Sequence, residues 1–213
     1  MHAKSAPLAA VCAALALPAL AFSAEPDKRS PEFRKAFLES FQRIGLNTTP
    51  GDAMMLRVLI ASSGAKRGIE VGAASGYGAV NMGIAFERHG GHLYSLEIDP
   101  KWVAVTRENI AKVGLEKTVT VIQGDALKTL PALEGQFDFI FIDAAKPQYL
   151  KYLQAIEPKL KPGALVVADN VIKSARAMQD FLTYVQTSPN YDTVIIRASE
   201  EKDDGMSISV KLR

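Results

Sequence analysis

The chain carries one cysteine, Cys12, in 213 residues. A single thiol cannot close an internal disulfide or build a thiolate zinc site, which excludes both kinds of staple. An excess of one charge is also missing. Lys plus Arg is 25 against Asp plus Glu at 23, a formal net charge of +2. That balance gives no whole-molecule field for nucleic acid or an anionic membrane, and no nucleic-acid partner is expected. Gly at 15 and Pro at 11 are too few for a collagen-like or low-complexity chain, and there is no internal repeat. What is present is 48% hydrophobic and 23% charged residues, a globular composition in a length that suits one domain.

The first residues differ from the rest. His2 and Lys4 precede a run from Ala6 to Phe22 without a charge, which gives way to Glu25, Pro26, Asp27, Lys28 and Arg29. A basic start, an apolar stretch and small residues at its end describe a secretory signal peptide. Ala19-Leu20-Ala21 and Ala21-Phe22-Ser23 both fit the small-x-small cleavage pattern. The run falls short of the about 20 apolar residues that a membrane span needs, and Pro7 and Pro18 interrupt it. We therefore expect residues 1–23 to be a signal peptide, residues 24–213 to form a single domain, and no stable membrane span in the mature chain. An N-terminal helix of the domain, or a misplaced start codon, is the alternative. Export places the mature protein in the periplasm or outside the cell; without cleavage it is cytoplasmic. Cleavage would also remove Cys12. Val11, just before it, is bulky for a lipoprotein site, so no lipid anchor is expected.

Phe33, Phe37, Phe41 and Ile44 recur at spacings of three and four, which predicts a helix over Ser30 to Ile44 with an aromatic stripe on the core. Thr49-Pro50-Gly51-Asp52 reads as a helix start, with Thr49 capping, Pro50 in the first helical position and Asp52 facing the positive helix end. This helix should pass Met54, Met55, Val58 and Leu59 and stop near Gly64. Strand and helix then alternate. Strands are expected at Arg67 to Val71, His92 to Ile98, Thr118 to Ile122, Phe137 to Ile142 and Ala164 to Ala168, with Tyr191 to Arg197 and Met206 to Leu212 at the end. Helices are expected at Ala79 to Arg88, Pro100 to Val113, Tyr149 to Leu160 and Ala175 to Gln186. Such alternation implies an α/β fold, a mostly parallel sheet with helices on both faces. Ala198 to Gly205 leaves no room for a crossover helix, so the last strand should be antiparallel.

In such a sheet a ligand sits beyond the carboxyl ends of the strands. After the first strand comes Glu70-Val71-Gly72-Ala73-Ala74-Ser75-Gly76-Tyr77-Gly78. Its glycines let backbone approach a ligand, but the spacing is not that of a dinucleotide-binding turn. After the second strand come Glu97 and Asp99, and after the third Gly124-Asp125-Ala126. Asp99 is read as the cap of the helix starting at Pro100, and Glu97 as the ligand of the two hydroxyls of a ribose. Together these suit a nucleoside-containing ligand without a pyrophosphate. The fourth strand ends at Asp143 with Lys146 three residues on, and the fifth ends at Asp169-Asn170. Two carboxylates and an amide oxygen on neighbouring strands are hard ligands that suit Mg²⁺ or Ca²⁺. A lysine in such a cleft can serve as a base.

At these residues the chain resembles the cation-dependent class I S-adenosylmethionine O-methyltransferases, the group of catechol and caffeoyl-CoA O-methyltransferases and their bacterial relatives. The resemblance runs from about Ile44 to Arg213. It is carried by Ile69-Glu70-Val71-Gly72 with Gly76-Tyr77, by Leu96-Glu97-Ile98-Asp99, by Phe137 to Asp143 with Lys146 and Tyr149, and by Ala168-Asp169-Asn170. It implies a Rossmann-like methyltransferase fold, with a mostly parallel seven-stranded sheet whose last strand is antiparallel. It implies cofactor-binding positions at Thr49, Glu70, Gly72, Ser75, Gly76, Tyr77, Gly78, Glu97, Ile98, Gly124, Asp125, Ala126 and Asp143. Gly72 would line the methionine end, Glu97 would hold the ribose, and Asp125 and Ala126 would sit against the adenine. Asp143, Asp169 and Asn170 would bind Mg²⁺ or another divalent cation, and Lys146 would take the acceptor's proton. Gly78 stands where the family often has Ser, so Ser75 is the substitute for that hydroxyl. The small Ala144 and Ala145 stand where catechol-type enzymes place larger side chains.

The function implied is methyl transfer from S-adenosylmethionine to a hydroxyl of a small catechol-like or phenolic acceptor, by a protein that, like many members, forms a homodimer. The alternatives are a non-catalytic S-adenosylmethionine-binding protein of the same fold and an N-methyltransferase, which would not need the oxygen-ligand trio.

Overall fold

The computed structural model describes residues 26–213. The expected signal peptide and Cys12 lie outside the described residues.

Helix α1 (Pro31–Glu39) begins where Ser30 accepts the Phe33 N–H, and it ends five residues earlier than the aromatic spacing predicts. The Ser40 hydroxyl bonds the Phe37 carbonyl, a local alternative to the helical ladder. Phe41 and Ile44 therefore lie beyond the helix, and Phe41 packs edge-on between Phe37 at 5.6 Å and Tyr77 at 5.1 Å. The buried residue of α1 is Arg34, whose guanidinium donates twice to the Val113 carbonyl and pairs with Glu87 at 2.5 Å. Helix α2 (Pro50–Ser63) has the expected Thr49 cap and stops at Gly64, whose φ of 65° is left-handed. Met54 and Val58 on α2 are about half exposed, at 52% and 54%, and are not core.

Seven strands follow among the described residues: β1 (Arg67–Val71), β2 (His92–Glu97), β3 (Val119–Gln123), β4 (Phe137–Ile142), β5 (Leu160–Ala168), β6 (Tyr191–Ser199) and β7 (Asp204–Lys211). They form one sheet in the order β3-β2-β1-β4-β5-β7-β6. The first five are parallel, and β7 is antiparallel to both β5 and β6. The expected fold class and the antiparallel last strand are both observed. From Phe139 to Ile142 the side chains of β4 alternate between the two cores, and a register shift between Phe137 and Phe139 leaves Phe137 in the same core as Ile140. Phe137, Ile140 and Ile142 join one, and Phe139 and Phe141 join the other. A strand buried on both faces reads as a continuous apolar run, as Phe139 to Ile142 does.

Helices α3 (Tyr77–Arg88) and α4 (Pro100–Lys112) start and stop close to expectation. Helix α5 (Ala126–Ala132) was not expected; it is short and holds Pro131 near its end. Helix α6 (Tyr149–Ile156) is four residues shorter than the apolar pattern predicts, because Pro158 has no N–H to continue it and a 3-10 turn over Glu157–Lys159 takes its place. A 3-10 turn over Ala175–Met178 precedes α7 (Gln179–Thr187). β1 lies between β2 and β4, so the chain leaves β1 first toward one edge and later toward the other. That reversal opens a crevice beyond the carboxyl ends of β1 and β4.

Candidate active site

A cavity of about 650 Å³ occupies that crevice. Each strand delivers a group to it.

β1 delivers Gly72. Its φ is 96°, and a Cβ there would run into the carbonyl of Asp143 at the end of β4. Only glycine lets these two strand ends close up. β2 delivers Glu97, whose carboxylate collects four backbone N–H groups. Oε2 accepts from Ala73 at 3.1 Å and Ala74 at 2.8 Å; Oε1 accepts from Ile98 at 2.8 Å and Asp99 at 3.0 Å. Glu97 thus holds the glycine turn against β2 while lining the cavity. Asp99 caps α4 through the Lys101 N–H at 2.8 Å. β3 delivers Gly124, Asp125 and Ala126 to the same wall, with Asp125 capping α5 at Leu127.

β4 and β5 deliver the charged end. Lys146 Nζ donates to Asp143 Oδ1 at 2.7 Å and to the Tyr149 hydroxyl at 2.9 Å, and Tyr149 donates on to the Asp169 carbonyl at 3.2 Å. Burial and the neighbouring Asp143 and Asp169 push the Tyr149 phenol well above its ordinary value, so it stays a neutral donor. Asp169 is fully buried. Its Oδ1 accepts the Asn170 N–H at 2.7 Å, while its Oδ2 has no hydrogen-bond partner among the described residues. Burial, then Asp143 and Asp52, raise the Asp169 carboxyl to about 7. Asn170 holds a left-handed φ of 62° and faces the cavity. Among the described residues no three His, Cys, Asp or Glu side chains gather as a metal cluster. The oxygen set here is two carboxylates and an amide, one carboxylate oxygen being buried and unpartnered. That donor chemistry fits a hard divalent cation.

Of the residues picked out in the sequence, Gly72, Glu97, Ile98, Gly124, Asp125, Ala126, Asp143, Lys146 and Asn170 line this cavity. Asp169, which is fully buried, does not, nor do Thr49, Glu70, Ser75, Gly76, Tyr77 and Gly78, and the structure gives these last six another task. Thr49 caps α2 and exchanges hydrogen bonds with Asp52. Glu70 lies beneath the turn, takes the Ser95 hydroxyl, and occupies the space a Cβ on Gly78 would need. Ser75 donates to Asn47 at 2.7 Å and so is not turned to the cavity as a substitute hydroxyl. Gly76 begins α3 where a side chain would crowd Thr106, and Tyr77 packs on Phe41.

Leu46, Trp102, Gln148, Tyr152 and Lys202, which no sequence motif marks, also line the cavity. Trp102 was findable: it is the lone tryptophan, one turn into the helix that follows Glu97. Lys202 was hidden by its acidic surroundings. Buried Asp52 was read only as a helix-start charge; it also takes the Ser199 hydroxyl, and its Oδ1 has no partner among the described residues.

An O-methyltransferase family model matches residues 22–192. A catechol O-methyltransferase from Niastella koreensis is 37% identical over 139 residues, covering 63% of this chain and 62% of that protein. A catechol O-methyltransferase from Mycobacterium tuberculosis is 34% identical over 132 residues, covering 62% and 59%. The chain thus spans a little under two thirds of the length of these curated relatives. Among solved structures, cofactor-bound Rv0187 from MTB superposes with a TM-score of 0.75 at 27% identity, covering 84% of this chain and 87% of that one. The O-methyltransferase from Bacillus cereus in complex with SAH gives 0.75 at 22% identity, covering 90% and 93%, which shows the shared fold. With the sheet order, the glycine turn closed on Asp143 and a model match over most of its length, the chain belongs to the O-methyltransferase family.

Proposed function

We propose that the protein transfers the methyl group of S-adenosylmethionine to a hydroxyl of a small acceptor with two neighbouring oxygens, such as catechol, and needs a divalent cation, Mg²⁺ by preference. The observation that carries this reading is that one cavity is lined both by Gly72, Glu97 and Asp125 and by Asp143, Lys146 and Asn170. A nucleoside end and a hard-oxygen end are thus within reach of one bound pair of reactants.

When bound, the cofactor supplies an electrophilic methyl on a sulfonium, and a divalent cation makes a hydroxyl oxygen easier to deprotonate. The chain's own residues do the rest. Glu97 orients the ribose, and Trp102 with Ile98 offers an apolar wall for the base. Asp143, Asp169 and Asn170 are the residues that would hold the cation. Lys146, steadied by Tyr149, receives the hydroxyl proton at Nζ. With the proton removed, the acceptor oxygen would be free to take the methyl, the methyl–sulfur bond breaking and its electron pair leaving with sulfur. Holding oxygen and methyl in line is where most of the rate gain arises.

The test is S-adenosylhomocysteine formation from S-adenosylmethionine and catechol, with Mg²⁺ and with a chelator. Activity lost on chelation and restored by Mg²⁺ is the expected result. Undiminished turnover in chelator would overturn the cation assignment and favour N-methyl transfer.

A further inference from the structure

Lys202 stands in an acidic run, Glu200-Glu201-Lys202-Asp203-Asp204, yet none of these acids is its partner. Glu201 is paired with Arg43 at 2.9 Å, and Asp203 with Arg197. Asp204 is buried, and one of its oxygens accepts the N–H groups of Ile172, Lys173 and Gly205. Glu200 is exposed and makes no ion pair with Lys202 among the described residues. Asp169 forms no ion pair with Lys202 either, although the Lys202 charge acts on that carboxyl.

Lys202 instead lines the cavity that also holds Asp143, Lys146 and Asn170. There it donates to one neutral oxygen, the carbonyl of Asn47, at 2.8 Å. An ammonium has three donors, so this bond leaves capacity unused. The side chain is also held in place. The turn between β6 and β7 is tied to the segment before α2 by the Arg43–Glu201 pair, and the end of β6 is tied to α2 by Ser199 on Asp52. The cavity wall therefore includes a positioned, half-buried lysine that forms no ion pair among the described residues, and the acids of its own run are engaged elsewhere or exposed.

We propose that Lys202 makes the protein select acceptors that carry a carboxylate beside their vicinal hydroxyls, dihydroxy aromatic acids in preference to neutral catechols or catechol amines. This rests on the function proposed above. An anionic group would gain a charge-assisted hydrogen bond from a donor that the free protein leaves on a carbonyl, and a cationic group would meet like charge.

The experiment compares kcat/KM for 3,4-dihydroxybenzoate, catechol and dopamine, in the parent and in Lys202→Met, Lys202→Arg and Lys202→Glu. The parent should favour the acid over catechol by about tenfold or more, the scale of one hydrogen bond to a charged group, with the amine poorest. Lys202→Met should erase that ratio, Lys202→Arg should keep it, and Lys202→Glu should shift preference to the amine. Calorimetric binding of 3,4-dihydroxybenzoate to the S-adenosylhomocysteine complex should weaken in Lys202→Met by the same factor. A parent indifferent to acceptor charge, or a Lys202→Met ratio equal to the parent's, would overturn the proposal. If no acceptor is turned over, the function proposed above fails, and the calorimetric comparison still decides the role of Lys202.

Discussion

Lys146 Nζ sits 2.7 Å from Asp143 Oδ1, across one turn of the chain at the end of β4. The pair is mostly shielded, and Tyr149 fixes the same nitrogen from the other side at 2.9 Å. The proposed base and a proposed cation ligand are thereby held as one unit. Lys146→Met removes the proton acceptor and leaves the cofactor end of the cavity untouched. Turnover should fall by about 10²–10⁴-fold, the usual worth of a positioned base, while calorimetric binding of S-adenosylhomocysteine persists. Turnover within a few fold of the parent would show that another group takes the proton.

Gly72 poses a different test. A residue with a Cβ would be strained at its φ of 96° and would collide with the Asp143 carbonyl. Gly72→Ala should cost about 1–3 kcal/mol from the backbone alone, and more from the collision. It should also part β1 from β4 and abolish S-adenosylhomocysteine binding. Gly90→Ala is the control, because Gly90 has a φ of 63° but nothing within 4 Å of a Cβ. It should lower the melting temperature modestly and leave binding intact. Equal losses of binding in the two variants would show that strain, not the approach of the strand ends, is what Gly72 relieves.

These two sites were legible in the sequence for a physical reason. A parallel sheet buried on both faces writes itself as apolar runs with chemistry just after each, and Asp143, Lys146, Asp169 and Asn170 fall at those ends. The ends of helices were harder to place. Pro158 and Ser40 stop α6 and α1 inside patterns that remain apolar and periodic, so periodicity overruns the true boundary. Helix α5 has seven residues, too few to show a period. In the glycine turn, residues adjacent in sequence face different ways. Glu70 points to the underside of the turn, and Ser75 turns to Asn47. The Lys202 environment depended on which acids were engaged elsewhere, a property of long-range pairs such as Arg43–Glu201 that no local pattern carries.

Glu70 gives a stability prediction with a definite sign. It is fully buried at the end of β1, and its carboxyl is raised from 4.5 to about 8. Burial is the main cause, with Asp143 and Glu97 adding to it and the Ser95 hydroxyl opposing it. Between those two values the folded protein holds a proton that the unfolded chain has released. Stability contributed by this group is therefore full below 4.5, declines as pH rises, and is lost by about 8. Each unit of the difference is worth about 1.4 kcal/mol, so the loss amounts to a few kcal/mol. Glu70→Gln keeps the shape and neutrality of the protonated acid. Its urea unfolding free energy should match the parent's within about 1 kcal/mol at pH 5, where both side chains are uncharged. At pH 9 the variant should be clearly the more stable of the two. The same pH dependence in both proteins would mean that Glu70 does not stay protonated in the fold, and that the space beneath the glycine turn tolerates a charge.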